Sequence, residues 1–307
     1  MLLPIEKLIS DLANSNKPLS SSGLTELSNL SSEDMEFICR IWESIESKRR
    51  QQIIYRLVEL AENNFELNFD SIVRNCLKDQ DAEVRSKAIV GLRESEEASL
   101  INPLIDVLRY DSSEKVQVAA TIVLGKFAML AEHKKIRSCH ISKLGEALLS
   151  VIGDRSKPVD VRRRALEAAA PLSVPQVRKI IVEAYQSRNS KIRAGAVYAM
   201  GKSCNHFWLP ILLEELANAD TEIRYEAARA CGELGEEEAV PCLIELLRDP
   251  DTDVQLAAIQ ALGKIGSGEA KEYLEECLNN PNDLVQEAAE QSLEYLKIVA
   301  DPFYFEA

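Results

Sequence analysis

Seven times along this chain of 307 residues a valine or isoleucine is followed directly by arginine or glutamine, and then by alanine four places after the Val/Ile. The first residues of these signatures are Val84, Val116, Val161, Ile192, Ile223, Val254 and Val285, separated by 32, 45, 31, 31, 31 and 31 residues. Four equal steps in succession mark a structural repeat, which must be accounted for before any domain is drawn. The two most regular copies also agree at Asp220/Asp251, Gly232/Gly263, Gly235/Gly266, Leu243/Leu274 and Leu247/Leu278. Length alone suggests about two domains. The period predicts one repeat array instead.

Each copy predicts two helices. Six of the seven residues three places before the Val/Ile are Asp, Asn or Ser, whose side-chain oxygens accept orphan amides at a helix start. The exception is Pro158, where Asp160 is expected to cap instead. The Val/Ile, the Ala and a residue four further on (Leu92, Leu124, Met200, Cys231, Leu262, Leu293) lie at i, i+4 and i+8, on one stripe of a helix. Alanine at every middle position predicts close approach to a neighbouring helix. Gly235 and Gly266 stand where a left-handed residue closes a helix. A second helix follows, as in Glu238–Leu247 and Glu269–Leu278, with glutamates in its first turn complementing the helix dipole. Neither helix can bury its stripe alone, so successive pairs must stack. No strand pattern occurs, which makes the fold class all-α, an α-solenoid of stacked antiparallel helix pairs.

The pattern D-x-x-V-R-x-x-A-x-x-A-L-G, followed by a helix of the E-A-V-P-x-L-I-E-L-L type, resembles HEAT repeats. More narrowly it resembles the short HEAT-like repeats named after phycobilisome lyases. The resemblance is clear over residues 70–299 and looser over 33–62, where Asp34–Ile45 is expected as a first helix and Lys48–Leu60 as a second. It implies an armadillo-like superhelix over 33–300 of about eight helix pairs, with residues 1–32 as an N-terminal helical cap and 301–307 as a tail. Phe303–Phe305 in that tail are expected to cap the last pair. The long step spans 116–160, and Glu132–His140 within it predicts either an extended loop or longer helices.

The formal charge is −14, which excludes a generally basic nucleic-acid-coating protein. That total divides unevenly: residues 1–132 carry −7, residues 133–193 carry +9 and residues 194–307 carry −16. Arg162–Arg164 form the densest part of the basic middle. Arg162 falls at the repeating Arg/Gln position and is expected to bond across adjacent units. Basic central repeats also admit phosphate or nucleic acid as ligand, although the acidic C-terminal part would repel a backbone tracking the whole array.

Positions two, three and six after the Val/Ile turn away from the core stripe. They comprise Lys87, Ile122, Arg163, Arg164, Tyr198, Tyr225, Arg229, Gln260 and Gln291, with Lys126 and Tyr295 a turn further on. Tyrosine and arginine anchor protein interfaces through contact area and planar hydrogen bonding. Arg163, Arg164, Tyr198, Tyr225 and Arg229 fall in neighbouring repeats and form the candidate partner-binding cluster. The resemblance implies a concave face lined by the second helix of each pair, and a scaffold or adaptor that binds another protein there, one with an acidic surface.

Catalytic signals are missing from the sequence. G-x-S-x-G, Walker A and G-x-G-x-x-G patterns do not occur. His133, Cys139 and His140, and the pair Cys204 and His206, lack the spacing of a tetrahedral zinc site. HEAT-like deoxyhypusine hydroxylases hold iron through repeated His-Glu pairs, and no His-Glu dipeptide occurs here. The phycobilisome-lyase resemblance leaves a chromophore-handling lyase or chaperone as the alternative reading, without a recognisable bilin pocket. No cofactor, metal or catalytic residue is nominated. The odd number of cysteines, seven without a C-x-x-C pair, fits buried free thiols and a cytoplasmic location. The N-terminus lacks the basic and apolar regions of a signal peptide, and no apolar run is long enough for a membrane span.

Overall fold

A computed structural model describes residues 4–300, and among them only helices and turns occur. In order these are α1 (Pro4–Ala13), α2 (Ser21–Thr25), α3 (Ser32–Trp42), α4 (Ser47–Asn63), α5 (Asp70–Cys76) and α6 (Ala82–Gly91). Next come α7 (Ile101–Tyr110), α8 (Glu114–Glu132), α9 (Ser138–Gly153), α10 (Val159–Ala169), α11 (Pro175–Tyr185) and α12 (Ser190–Lys202). The rest are α13 (Leu209–Glu215), α14 (Thr221–Leu234), α15 (Val240–Leu246), α16 (Thr252–Ile265), α17 (Gly268–Cys277) and α18 (Asp283–Ala300). Phe303–Phe305 lie outside the described residues. The chain forms two compact units, one running up to Leu130 with Ile136–Ala147, the other comprising Ala131–Lys135 and the chain from Leu148 onward. The long step of the repeat is taken up by long helices, 19 residues in α8 and 16 in α9.

The expected stripe is the core. Val84, Val116, Val161, Ile192, Ile223, Val254 and Val285 are all buried, and the seven alanines four places on are completely inaccessible. Side chains of Asp81, Asn189, Asp220 and Asp251 accept amides of the first turn, as capping residues should. Pro158 brings no side-chain cap, and Asp160 does not replace it: its carboxylate accepts from Lys191 Nζ at 2.9 Å. Asp160 is the second residue of α10, and its carboxylate is taken by the lysine of the neighbouring repeat. Gly235 and Gly266 both adopt φ +73°, the left-handed closure their positions predict.

In the second unit α10, α12, α14, α16 and α18 pack side by side in sequence order, whereas the helices between them touch one another far less. This tight row holds the Val/Ile-Arg helices, so their outward positions lie on the close-packed side. The second helices, expected to line the concave face, are the more widely spaced set. Glycine nine places after the Val/Ile marks points of very close approach. A Cβ on Gly201 would stand 2.5 Å from Ala230 Cα, one on Gly232 would stand 2.8 Å from Ala261 Cα, and one on Gly263 2.7 Å from Ser292 Cβ. In the first unit the same contact is inverted, with Val58 of α4 packed on Gly91 of α6.

That inversion exposes a repeat the sequence conceals. Arg49 takes the Val position of α4, Arg50 the Arg position and the buried Ile53 the Ala position. The sequence pattern makes Asp34–Ile45 the first helix of this pair, yet α4 is the one that packs against α6 in the Val/Ile-Arg row. Arginine at the core position hides the motif. Arg49 is accommodated because its Nε donates to the carbonyl of Leu12, at the end of α1, at 2.6 Å.

Arginines that follow the Val/Ile position tie neighbouring repeats together. Arg50, Arg85 and Arg224 each grip a carboxylate, of Asp79, Asp111 and Asp249, through Nε and Nη2 at 2.7–3.1 Å. Bonds from Arg224 hold Asp249 below the usual carboxylate range. At Asp111 burial pushes upward, and bonds from Arg85 and the Ser113 amide override it. Groups depressed in this way stabilise the fold fully above the unfolded aspartate value of about 3.9, and the contribution is lost as pH falls from there through the folded value. Urea midpoints measured against pH should therefore decline below about pH 4. Asp249→Asn should lower the midpoint at neutral pH and flatten that decline; an unchanged profile would refute the assignment.

Candidate partner-binding surface

The proposed cluster is built on α10, α12 and α14. Ion pairing begins with Arg163 of α10, whose Nε donates to Glu167 Oε1 at 2.8 Å. The same guanidinium reaches Glu222 and lies 3.7 Å from Glu226, both on α14. To get there the side chain must cross α12. It does so over Gly195, where an added Cβ would stand 2.9 Å from Arg163 Cγ. Arg163 is thus a bolt between non-adjacent helices and is only 12% exposed. Burial disfavours its charge, but the bonds to Glu167 and Glu222 keep it firmly protonated. Arg164 donates to the other oxygen of Glu167 at 2.7 Å and keeps almost half of its side chain exposed.

Tyr198, Tyr225 and Arg229 are brought together. The Arg229 guanidinium carbon lies 5.5 Å from the ring centroids of both tyrosines, within cation–π range. Its Nη1 also donates to Glu226 Oε2 at 3.3 Å. Burial, reinforced by Glu167, raises the Tyr198 phenol above its ordinary value. Burial likewise pushes the Glu226 carboxyl upward, opposed by Arg229 and Arg163. The surface is therefore two half-buried rings around a partly exposed guanidinium, on a floor of paired carboxylates. Glu167, Glu226 and Gly195 are the members that sequence reading missed. A glutamate amid the small and apolar residues of Ala165–Ala170 is the one signal that could have pointed to them.

Other outward positions are occupied differently. Lys126 bonds to Glu94, with Nζ 2.8 Å from its carbonyl oxygen. In the second unit the same register carries Lys202, Glu233 and Lys264, the two lysines lying 3.0 Å and 2.7 Å from the carboxylate between them. Lys87 stands over the Tyr55 ring at 4.6 Å. Ile122, Gln260, Gln291 and Tyr295 are exposed and join no cluster. All seven cysteines are free, but the expected burial holds only for Cys76, Cys231 and Cys277; Cys39, Cys139 and Cys204 are exposed and Cys242 is half-buried. Among the described residues no group of His, Cys, Asp and Glu could hold a metal ion, and no helix is long and apolar enough to cross a membrane.

Stacked helix pairs, a shared small-residue row and inter-repeat arginine bonds define an all-α solenoid. Residues 209–294 match the family model of HEAT repeats, so the helix pairs within that stretch are HEAT repeats. Among solved structures, that of Kap95p with RanGDP aligns over 98% of this chain and 46% of its own, with TM-score 0.55 and 15% identity. YibA of Escherichia coli aligns over 79% of this chain and 96% of its own, with TM-score 0.47 and 18% identity. Human deoxyhypusine hydroxylase aligns over 95% and 96%, with TM-score 0.38 and 17% identity. No curated protein matches the sequence. At 15% identity the likeness to Kap95p is one of fold alone.

Proposed function

We propose that the chain is a non-catalytic scaffold that binds another protein through Tyr198, Tyr225 and Arg229, with Arg164 at the margin. The observation that carries this reading is the Arg229 guanidinium held between two half-buried tyrosine rings. Such a group offers contact area and directional donors with its side-chain entropy already spent. The residue types are those that dominate interface energetics. Charge supports a protein over a polyanion, because Arg163, Arg164 and Arg229 are balanced locally by Glu167, Glu222 and Glu226. Arg163, nominated with the others, acts in this reading as the support beneath the surface. Free thiols fit a reducing compartment, which we take to be the cytoplasm.

Affinity capture from the native host tests the reading. A tagged wild-type chain should recover a partner that the Tyr198→Ala/Tyr225→Ala variant loses. With the purified partner, each alanine should weaken binding by about 2 kcal/mol. Identical partner sets from a folded double variant would overturn it.

A further inference from the structure

Two rungs of the inter-repeat arginine ladder lack a carboxylate: that of Arg193, where Asn218 stands two residues before the cap Asp220, and that of Arg162. In the complete rungs the carboxylate stands two residues before the next helix cap: Asp79 before Asp81, Asp249 before Asp251, and Asp111 before Ser113. Where α10 begins, the ladder arginine is Arg162, and the residue two before the next cap, Asn189, is Ser187. Arg162, expected to bond across units, instead donates from Nε to the Ile152 carbonyl oxygen near the end of α9 at 3.0 Å. Among the described residues no carboxylate lies within 4.0 Å of its guanidinium. Arg162 and Ser187 line a groove of about 800 Å³ together with Arg155 and Arg188, both exposed and neither ion-paired among the described residues. The groove's one carboxylate, Glu183, lies 3.8 Å from Lys179 Nζ. Asp154, the other acid near Arg162, accepts from the Ser156 hydroxyl at 2.6 Å. The surplus positive charge of the central segment therefore gathers here, away from the tyrosine surface.

We propose that this groove binds a carboxylate of an acidic segment of a partner protein. The carboxylate takes the Nη1/Nη2 edge of Arg162, whose Nε is committed to Ile152, whereas Asp111 and Asp249 take the Nε/Nη2 edges of Arg85 and Arg224; Arg155 and Arg188 add charge at the rim. A guanidinium offers a planar carboxylate two parallel bonds along either edge, and the complete rungs show the fit along one of them. The inference rests on the scaffold reading only in taking the ligand to be a protein.

Two variants test it with a fluorescein-labelled Asp/Glu peptide followed by anisotropy at low salt. Arg162→Gln installs the residue present at this position in other repeats, where Gln117, Gln255 and Gln286 bond to their own loop carbonyls. Ser187→Asp supplies the missing carboxylate from within the chain. Each should weaken peptide binding about tenfold, the worth of one charge-assisted pair. Ser187→Asp should also raise the melting temperature. Tyr198→Ala/Tyr225→Ala should leave peptide binding unchanged, which separates this site from the tyrosine surface. Wild-type failure to bind the peptide, equal binding by Ser187→Asp, or tighter binding of a single-stranded RNA than of the peptide would each overturn the proposal.

Discussion

Asp79→Ala should destabilise the chain by about 3–5 kcal/mol, read as a shift in urea midpoint. Its side chain is 1% exposed and that of Arg50 is 8% exposed. Three donors converge on the carboxylate: the Arg50 fork, Trp42 Nε1 at 2.6 Å and the Asp81 amide at 2.8 Å. Removing it strands a buried guanidinium and a buried indole N–H, and an unpaired buried charge is costlier than the pair was worth. Replacing both partners by apolar residues, as Arg50→Met with Asp79→Leu, should therefore lose less than Asp79→Ala alone. Trp42 fluorescence reports directly on the site. A loss below about 1 kcal/mol for the single variant would mean that the rung is not what joins these repeats.

Gly201→Ala should destabilise as well, against the direction of helix propensity. Alanine is favoured over glycine inside a helix by about 1 kcal/mol. Here the new methyl would meet the backbone of α14, 2.5 Å from Ala230 Cα, where no side chain can rotate away. Overpacking of that kind costs about 1–3 kcal/mol, and the clash is with main chain, so the upper part of the range applies. Ala230→Gly added to it should rescue only in part, because the clash with the main chain at position 230 remains. Gly268→Ala, at a site with open space around it, is the control and should be neutral or slightly stabilising. A more stable Gly201→Ala would show that α12 and α14 separate without penalty.

The fold was legible where one chemical requirement recurs at one spacing. Val84 through Val285 and their alanines are buried as their period demands, and the Asp and Asn caps accept the amides expected of them. It became illegible where a residue satisfies that requirement by other means. Arg49 holds a core position through a hydrogen bond to Leu12, and no hydrophobic pattern reports it. The tyrosine surface was half visible. Tyr198, Tyr225 and Arg229 could be aligned by counting turns, but Arg163 meets Glu222 across 59 residues and over an intervening helix. Only three-dimensional proximity discloses the gap that Gly195 leaves for it.

Glycine contacts along one side of the second unit have a mechanical consequence. Helices α12, α14, α16 and α18 touch backbone to small residue, so that row can be compressed no further. The alternate helices, α11, α13, α15 and α17, touch one another far less. The unit should therefore behave as a leaf spring with one stiff ply: it flexes by opening or closing the gaps between the alternate helices, while the stiff row keeps its length. Because Tyr198, Tyr225 and Arg229 ride on the stiff ply, bending would change the tilt of neighbouring repeats while leaving the spacing of those three groups fixed.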